Sequence, residues 1–466
     1  MPVEPSRTYA VEFTSSPGYD PSSISSLRTI KYNYSGNPRR TCKHLHGLAF
    51  QKIVWIALCA RLQQANFLDT TSTPPLADLS TDQLIDLVKA LVQGPRSWAA
   101  RPNGPVPIVQ RSIQLPVNVD LTALHLYWGN EAELLPSGTH LLFNNLGTLE
   151  LWDMNQIRRV WTNVLVVALA EVVHFASEQV GQQGCPFMED RVNYVEIIDL
   201  NLRTLAANTL LVSRLSQGGV DNPFEQGAVC GDFATVKFNA PTRFADKHDI
   251  AVFSLQIPAQ PRVLRVTHDF HGNIALADGY LLVSPPGSGQ VQIIALDGLG
   301  LLWGMPLPPS GSSNPPRYDL SDLPLFFSFP IDTTRRVLGG FLLMKSPLRE
   351  NQYRIWVQTD CLPSHQLTLT PGDQTPPIVR PRATDAVYPA DSHLHPTYSG
   401  HALIQSWDTG PRHIVPPAAP AGGRNLTPSG IVHAGGHQVD AVTSYSGAVV
   451  SSSRSAQGRV VVRYYA

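Results

Sequence analysis

Charged side chains are scarce in this sequence. Asp, Glu, Lys and Arg make up 15% of its 466 residues, against about 25% in ordinary soluble domains. Such a surface is either covered by other chains or kept soluble by Ser, Thr, Asn and Gln. The formal net charge is −1, which removes any global basic field able to hold nucleic acid by counterion release. Lysine is rarer still, with seven residues against 28 arginines and none after residue 363. The five cysteines, Cys42, Cys59, Cys185, Cys230 and Cys361, lie far apart and form no C-x-x-C pair. An odd, dispersed set argues against a disulfide framework or a structural zinc site and for a reducing compartment. The apolar run Val164 to Ala170 is far too short to span a bilayer. Met1-Pro2-Val3-Glu4-Pro5 carries neither a basic n-region nor an apolar h-region. A soluble chain made inside the cell, without membrane contact, is the expectation, so the Asn33-Tyr34-Ser35 sequon carries no weight.

What is present falls into four stretches. Residues 1–45 predict an extended N-terminal arm, because Tyr9, Val11 and Phe13, then Ile30, Tyr32 and Tyr34, alternate with polar neighbours around a Ser/Pro/Gly segment. Residues 46–230 predict a mainly helical block. A buried helix is expected over 48–67, and a second opens on the capping-box pattern Ser80-Thr81-Asp82-Gln83. Its apolar face is Leu84, Leu87, Val88 and Leu91, and Gly94-Pro95 stops it. A third is expected over 156–180, with apolar residues three and four apart, and a fourth over 190–217, ended by Gly218-Gly219. Residues 96–152 read as loops and short strands such as Ile113-Gln114-Leu115.

Residues 231–362 predict an antiparallel β-rich block. Strand candidates at 250–257, 263–267, 279–284, 291–296, 325–329, 337–344 and 353–359 are separated by Pro/Gly clusters. Residues 363–466 are rich in Pro, Gly, Ser and His and poor in aliphatic runs. That composition predicts an extended C-terminal arm ordered by partners, with a strand-like tip at Arg459 to Tyr465. Helices first and strands later predict an α+β fold. No internal repeat is evident.

The best metal candidate is Asp391-Ser392-His393-Leu394-His395, with His401 nearby. On an extended segment His393 and His395 point the same way, so both imidazoles could reach one ion. The plainer reading is an arm whose histidines hydrogen-bond to neighbouring chains. His268-Asp269-Phe270-His271 is weaker. Glu171 and His174 form one E-x-x-H step, half of a di-iron carboxylate pattern whose other half is missing. Gly298-Leu299-Gly300-Leu301-Leu302-Trp303-Gly304 misses the dinucleotide fingerprint by one place and precedes prolines, not a helix. The basic patches, Arg39-Arg40 with Lys43, His44 and His46, and Arg335-Arg336, suit RNA contact less well than interface ion pairs or a solvated turn. No phosphate loop, nucleophile elbow or kinase set is present. No catalytic, cofactor-binding or metal-binding residue is therefore assigned, no cofactor is expected, and the chain is read as no enzyme.

The extended arms around Tyr9 to Tyr34 and Thr397 to Ala466, with Pro-punctuated strands between them, resemble in organisation the coat and surface proteins of icosahedral double-stranded RNA viruses of fungi. That resemblance implies a structural protein that forms or decorates a capsid through chain-swapping arms. Its partners would be copies of itself and other capsid chains, nucleic-acid contact being disfavoured, and its location the virion and host cytoplasm. The alternative is an intracellular hydrolase with a β-rich substrate-binding block.

Overall fold

The structure is a computed structural model. It describes residues 47, 50–65, 67–68, 73–99, 107–115, 132–145, 148–163, 172–180, 183–190, 194–202, 204–214, 224–238, 248–257, 262–268, 273–284, 290–303, 317–330, 337–349, 352–359, 364–369, 378–382, 392–406, 412–415, 431–432, 438–442, 445–453 and 459–466. Among the described residues two α-helices, α1 (Lys52–Gln64) and α2 (Thr81–Gln93), come before the strands. The edge strand β1 (Val109–Gln114) follows, and after it the described residues form strands and short 3₁₀ turns.

The strands fall into seven sheets among the described residues. Blade I holds β2 (Ala132–Leu134), β3 (His140–Asn145), β4 (Thr148–Asp153) and β5 (Arg158–Thr162). Blade II holds β6 (Val172–Val180), β7 (Gln183–Asp190), β8 (Tyr194–Asn201) and β9 (Ala207–Arg214). Blade III holds β10 (Phe224–Cys230), β11 (Phe233–Phe238), β12 (His248–Ser254) and β13 (Arg262–His268). Blade IV holds β14 (Asn273–Ala277), β15 (Tyr280–Ser284), β16 (Gln290–Ala295) and, after the short β17 (Arg317–Asp319), β18 (Leu325–Pro330). Blade V holds β19 (Val337–Lys345), β20 (Tyr353–Thr359), β21 (Ser364–Thr368) and β22 (Ile378–Arg382). Blade VI holds β23 (Ser392–Pro396), β24 (Ala402–Ser406), β25 (Arg412–Val415) and β26 (Ile431–Val432). Blade VII holds β27 (Gln438–Val442), β28 (Val449–Ser453) and β29 (Arg459–Tyr465).

Each blade is an antiparallel meander, and two irregularities relate them. β17 joins the outer edge of blade III in parallel with β13. The fourth strand of blade VII is β1, paired antiparallel with β29 so that Ile113 faces Val462. The first strands of successive blades approach one another, β6 with β10, β10 with β14, β14 with β19 and β23 with β27, so they line the centre. A ring of four-stranded sheets, closed by an early strand joined to the last sheet, is a β-propeller.

Apolar seams between blades hold the ring. Val195, Ile197 and Leu211 of blade II meet Val229, Val236 and Phe253 of blade III. Ile250, Leu264 and Val266 of blade III continue into Ile274, Leu281 and Ile293 of blade IV and on to Ile355 of blade V. Leu142 and Leu151 of blade I meet Ile198 and Leu200 of blade II. Val450, Val460 and Val462 of blade VII pack with Leu134, Leu141 and Phe143 of blade I.

The expected α+β fold is corrected by these sheets. The stretches 156–180 and 190–217 are strands β5, β6, β8 and β9 where described, not helices. Tyr194–Asn201 shows the reason: Val195 and Ile197 enter one seam and Ile198 and Leu200 the next. A strand buried on both faces loses its two-residue alternation and mimics a buried helix. The C-terminal stretch is not an extended arm: it supplies blade VI, three strands of blade VII and two strands of blade V. Few aliphatics are needed per strand when neighbouring blades supply the rest of the cover. The resemblance to capsid proteins rested on two arms with strands between them; with the C-terminal arm folded into blades it falls, as do the capsid function and the capsid chains as partners. The arm expected over 1–45 lies outside the described residues.

Both early helices form as expected. In α2, Ser80 Oγ accepts the Gln83 N–H at 3.2 Å and Gln83 Oε1 accepts the Ser80 N–H at 2.8 Å, a complete capping box. Gly94, at φ +73°, ends the helix. Leu84, Val88 and Leu91 pack on Cys59 and Leu62 of α1. The expectation that α1 is buried holds on one side only, since Phe50 is 54% and Ile53 63% exposed.

Candidate functional site

Turns define the face on which the helices sit. Met154 donates to Thr139 O, Leu255 to Asp232 O and Leu296 to Gly279 O, at 2.7–2.8 Å. First-to-second and third-to-fourth turns therefore share one end of the propeller, the turn face. The helix pair caps this face over blades V, VI and VII. Arg61 Nη2 donates to Leu348 O at 2.9 Å, between β19 and β20. Phe67, beyond α1, meets the edge of Tyr445 at 4.8 Å. Tyr445 stacks on Tyr398 at 5.6 Å and donates to Lys345 O at 2.6 Å. Tyr398 in turn hydrogen-bonds Ser346 Oγ at 2.9 Å, and Arg354 donates to its carbonyl while its guanidinium lies over its ring. One aromatic chain thus joins the cap to three blades.

The segment after α2 is driven into the ring. Trp98 is fully buried, with Tyr465 at 5.3 Å and His401 at 5.9 Å between ring centroids. The Ser97 N–H donates to Ala466 O at 2.7 Å. Gly447, at φ +67°, lies so close that a Cβ there would stand 2.7 Å from Pro95 Cδ. Ser399 Oγ and His401 Nδ1 are 2.8 Å apart, and Thr397 Oγ1 lies 2.8 Å from the same hydroxyl. This spacing is that of a nucleophile and its base, but a Cβ on Gly94 would stand 2.7 Å from Ser399 Oγ. With the α2 terminus seated on the hydroxyl there is no space for a reacting atom, and the pair pins the cap.

Across the seam between blades VII and I, Tyr464 donates to Gly138 O at 2.7 Å. Arg111 lies 5.8 Å from the Tyr464 ring centroid and donates to Met154 O at 2.9 Å. Burial pushes the Tyr464 phenol up to about 12, Arg111 opposing it. The uncapped part of the face carries Asp232, Asp278 and Asp297, the last accepting from Gln256 Nε2 at 2.9 Å.

The residues singled out in the sequence end up dispersed. His393 and His395 lie on β23, opposite Gln405 and Leu403 of β24, while His401 turns to Ser399 and Trp98. Asp391 lies outside the described residues, and among those described no three His, Cys, Asp or Glu side chains gather to hold a metal ion. His174 lies on β6, where three-residue spacing no longer places two side chains on one face; Glu171 lies outside the description. Gly298 and Gly300 fall in a 3₁₀ segment, Asp297–Leu302, whose Leu299 is buried. His268 ends β13. Asp269 to His271, Arg39 to His46 and Arg335-Arg336 lie outside the described residues. Trp98, the centre of the cap, was not singled out; its signal was a lone tryptophan just past a Gly-Pro helix stop.

The fold defines the class of protein, a β-propeller with a helical cap. No protein-family model and no curated protein matches the chain. Among solved structures it is similar to the β-propeller domain of Cps50 (Swd1) from Myceliophteria thermophila, at 9% identity and TM-score 0.48, covering 77% of this chain and 99% of that one. It is also similar to Hsv2 from Kluyveromyces lactis, at 10% identity and TM-score 0.38, covering 63% and 74%. The WD40 domain of SCAP from fission yeast matches at 9% identity and TM-score 0.35, covering 72% and 84%. The capsid and hydrolase readings were drawn from an α+β chain, and they are set aside because the sheets form a propeller instead.

Proposed function

We propose that this protein is a non-enzymatic scaffold that binds other protein chains through the helix-capped turn face. The carrying observation is α1: the apolar run Ile53 to Ala60 winds right round the helix, yet only Cys59 and Leu62 are buried, with Ile53 63% exposed and Phe50, just before the helix, 54% exposed. A helix apolar all round calls for cover on both sides, and α2 with the blades covers one. The chemistry that fits the outer side is an apolar helix or strand of a protein partner, with polar neighbours at the rim.

The test is a double variant, Phe50→Ser with Ile53→Ser. It removes apolar area without touching the buried side of α1. Cross-linking and mass spectrometry on native complexes should map partner contacts to α1 in the wild type and lose them in the variant, with unchanged thermal unfolding. Equal partner contacts in both proteins would reject the reading.

A further inference from the structure

Ala251 of β12 faces Arg265 of β13 in antiparallel register. Asp249, two positions earlier on the same side of β12, is therefore a diagonal neighbour of Arg265. Arg317 of β17 faces Arg265 in parallel register on the other side. Two guanidinium groups converge on one carboxylate oxygen: Nη2 of Arg265 lies 3.0 Å and Nη2 of Arg317 3.8 Å from Oδ2 of Asp249. The set carries one surplus positive charge.

The Arg265 side chain is 4% exposed, and its guanidinium lies over the Phe238 ring at 4.8 Å. Its Nε and Nη2 donors have no aligned hydrogen-bond acceptor among the described residues. Asp249 stands close enough for an ion pair, but out of line with the N–H bonds. Nε and Nη2 together make one edge of the guanidinium fork, the edge that grips a carboxylate or phosphate with two parallel bonds. Buried donors of this kind normally have partners. Desolvation holds Arg265 below the usual guanidinium range, Asp249 opposing and Arg317 reinforcing it. Arg317, 60% exposed along its side chain, reaches the same oxygen from solvent.

We propose that Arg265 and Arg317 form a binding site for a small phosphate-class oxyanion on the outer rim of blade III. Two oxygens of the ion sit on the Nε–Nη2 edge of Arg265 and a third meets Arg317. Asp249 occupies this place only as a competitor. A tetrahedral ion suits the pair better than a planar carboxylate, because the donors come from two adjacent strands. This inference does not rest on the helix-capped face.

The geometry gives two expectations of opposite sign. Arg317→Ala removes an exposed donor and should weaken binding of inorganic phosphate about tenfold or more. Asp249→Asn removes the competing charge and should tighten it. The measurement is calorimetric titration of the intact protein with inorganic phosphate, at constant ionic strength in chloride, with circular dichroism confirming the fold of each variant. Sulfate should compete and acetate should not. No saturable phosphate binding by the wild type would overturn the proposal, as would equal affinity in the wild type and Arg317→Ala. So would a crystal grown in phosphate that shows Asp249 gripping both donors of Arg265.

Discussion

The Tyr353 phenol, at the start of β20 in blade V, accepts the backbone N–H of Asp278 in blade IV at 2.9 Å. The same oxygen lies 3.8 Å from Cys230 Sγ, at the end of β10 in blade III. One buried side chain thus completes a turn of one neighbour and touches the innermost strand of the next. Burial raises its pKa, so the phenol stays neutral throughout the ordinary pH range.

Tyr353→Phe keeps the ring and removes the acceptor. The part-buried Asp278 N–H then loses its partner, at a cost of about 1–3 kcal/mol. Urea unfolding should show the loss as a lower midpoint with little change in slope. An unchanged midpoint would mean that water takes over the role at no cost.

Trp98→Ala should destabilise the protein by about 3–5 kcal/mol, because the ring is fully buried and leaves a cavity between blades VI and VII. Hydrogen exchange should quicken first in α2, β28 and β29. Gly447→Ala should perturb the same region by a separate route, since its added Cβ meets Pro95 at a backbone angle that favours glycine. Protection confined to its wild-type pattern in both variants would contradict the pinning role assigned to this segment.

Stability should fall in alkali across the seam between blades VII and I. Burial lifts the Tyr464 pKa from its ordinary value of 10.0 to about 12. The folded state therefore holds its proton more tightly than the unfolded chain does. Its contribution is fully present below pH 10 and is lost as pH rises to about 12. Tyr464→Phe should flatten this part of the stability curve, measured by denaturant titration at several pH values, and leave neutral-pH slopes alone.

Local grammar was legible where one element answers for itself. Ser80 and Gln83 announced the start of α2 and Gly94 its stop, because capping is settled within four residues. The seven strand candidates from 250 to 359 match β12, β13, β15, β16, β18, β19 and β20, because Pro/Gly turns set them off, while β14 and β17 had no candidate. The ring was not legible. A blade strand such as Tyr194–Asn201 buries both faces, and its partner seams lie on different blades. Val449 and Val450 of β28 likewise enter different clusters, so a stretch that looks too poor in aliphatics to fold is sufficient once flanked on two sides. The site was hidden for a related reason. His401 was conspicuous through its neighbours in sequence, but its partners are Ser399 and Trp98, the latter about 300 residues away.

The pairing of β1 with β29 also sets a clock. β1 leaves the ribosome early, while the strand that completes its ladder follows after about 350 more residues. At ordinary synthesis rates of about 5–20 residues per second, β1 waits for tens of seconds before its partner exists. During that interval its ladder edge is open to pair with other chains. Val109, 46% exposed even in the finished ring, adds apolar surface to that edge. Nascent chains are therefore at risk of mispairing through the β1 edge until β29 emerges, and a chaperone that shields β1 over that wait would raise the yield.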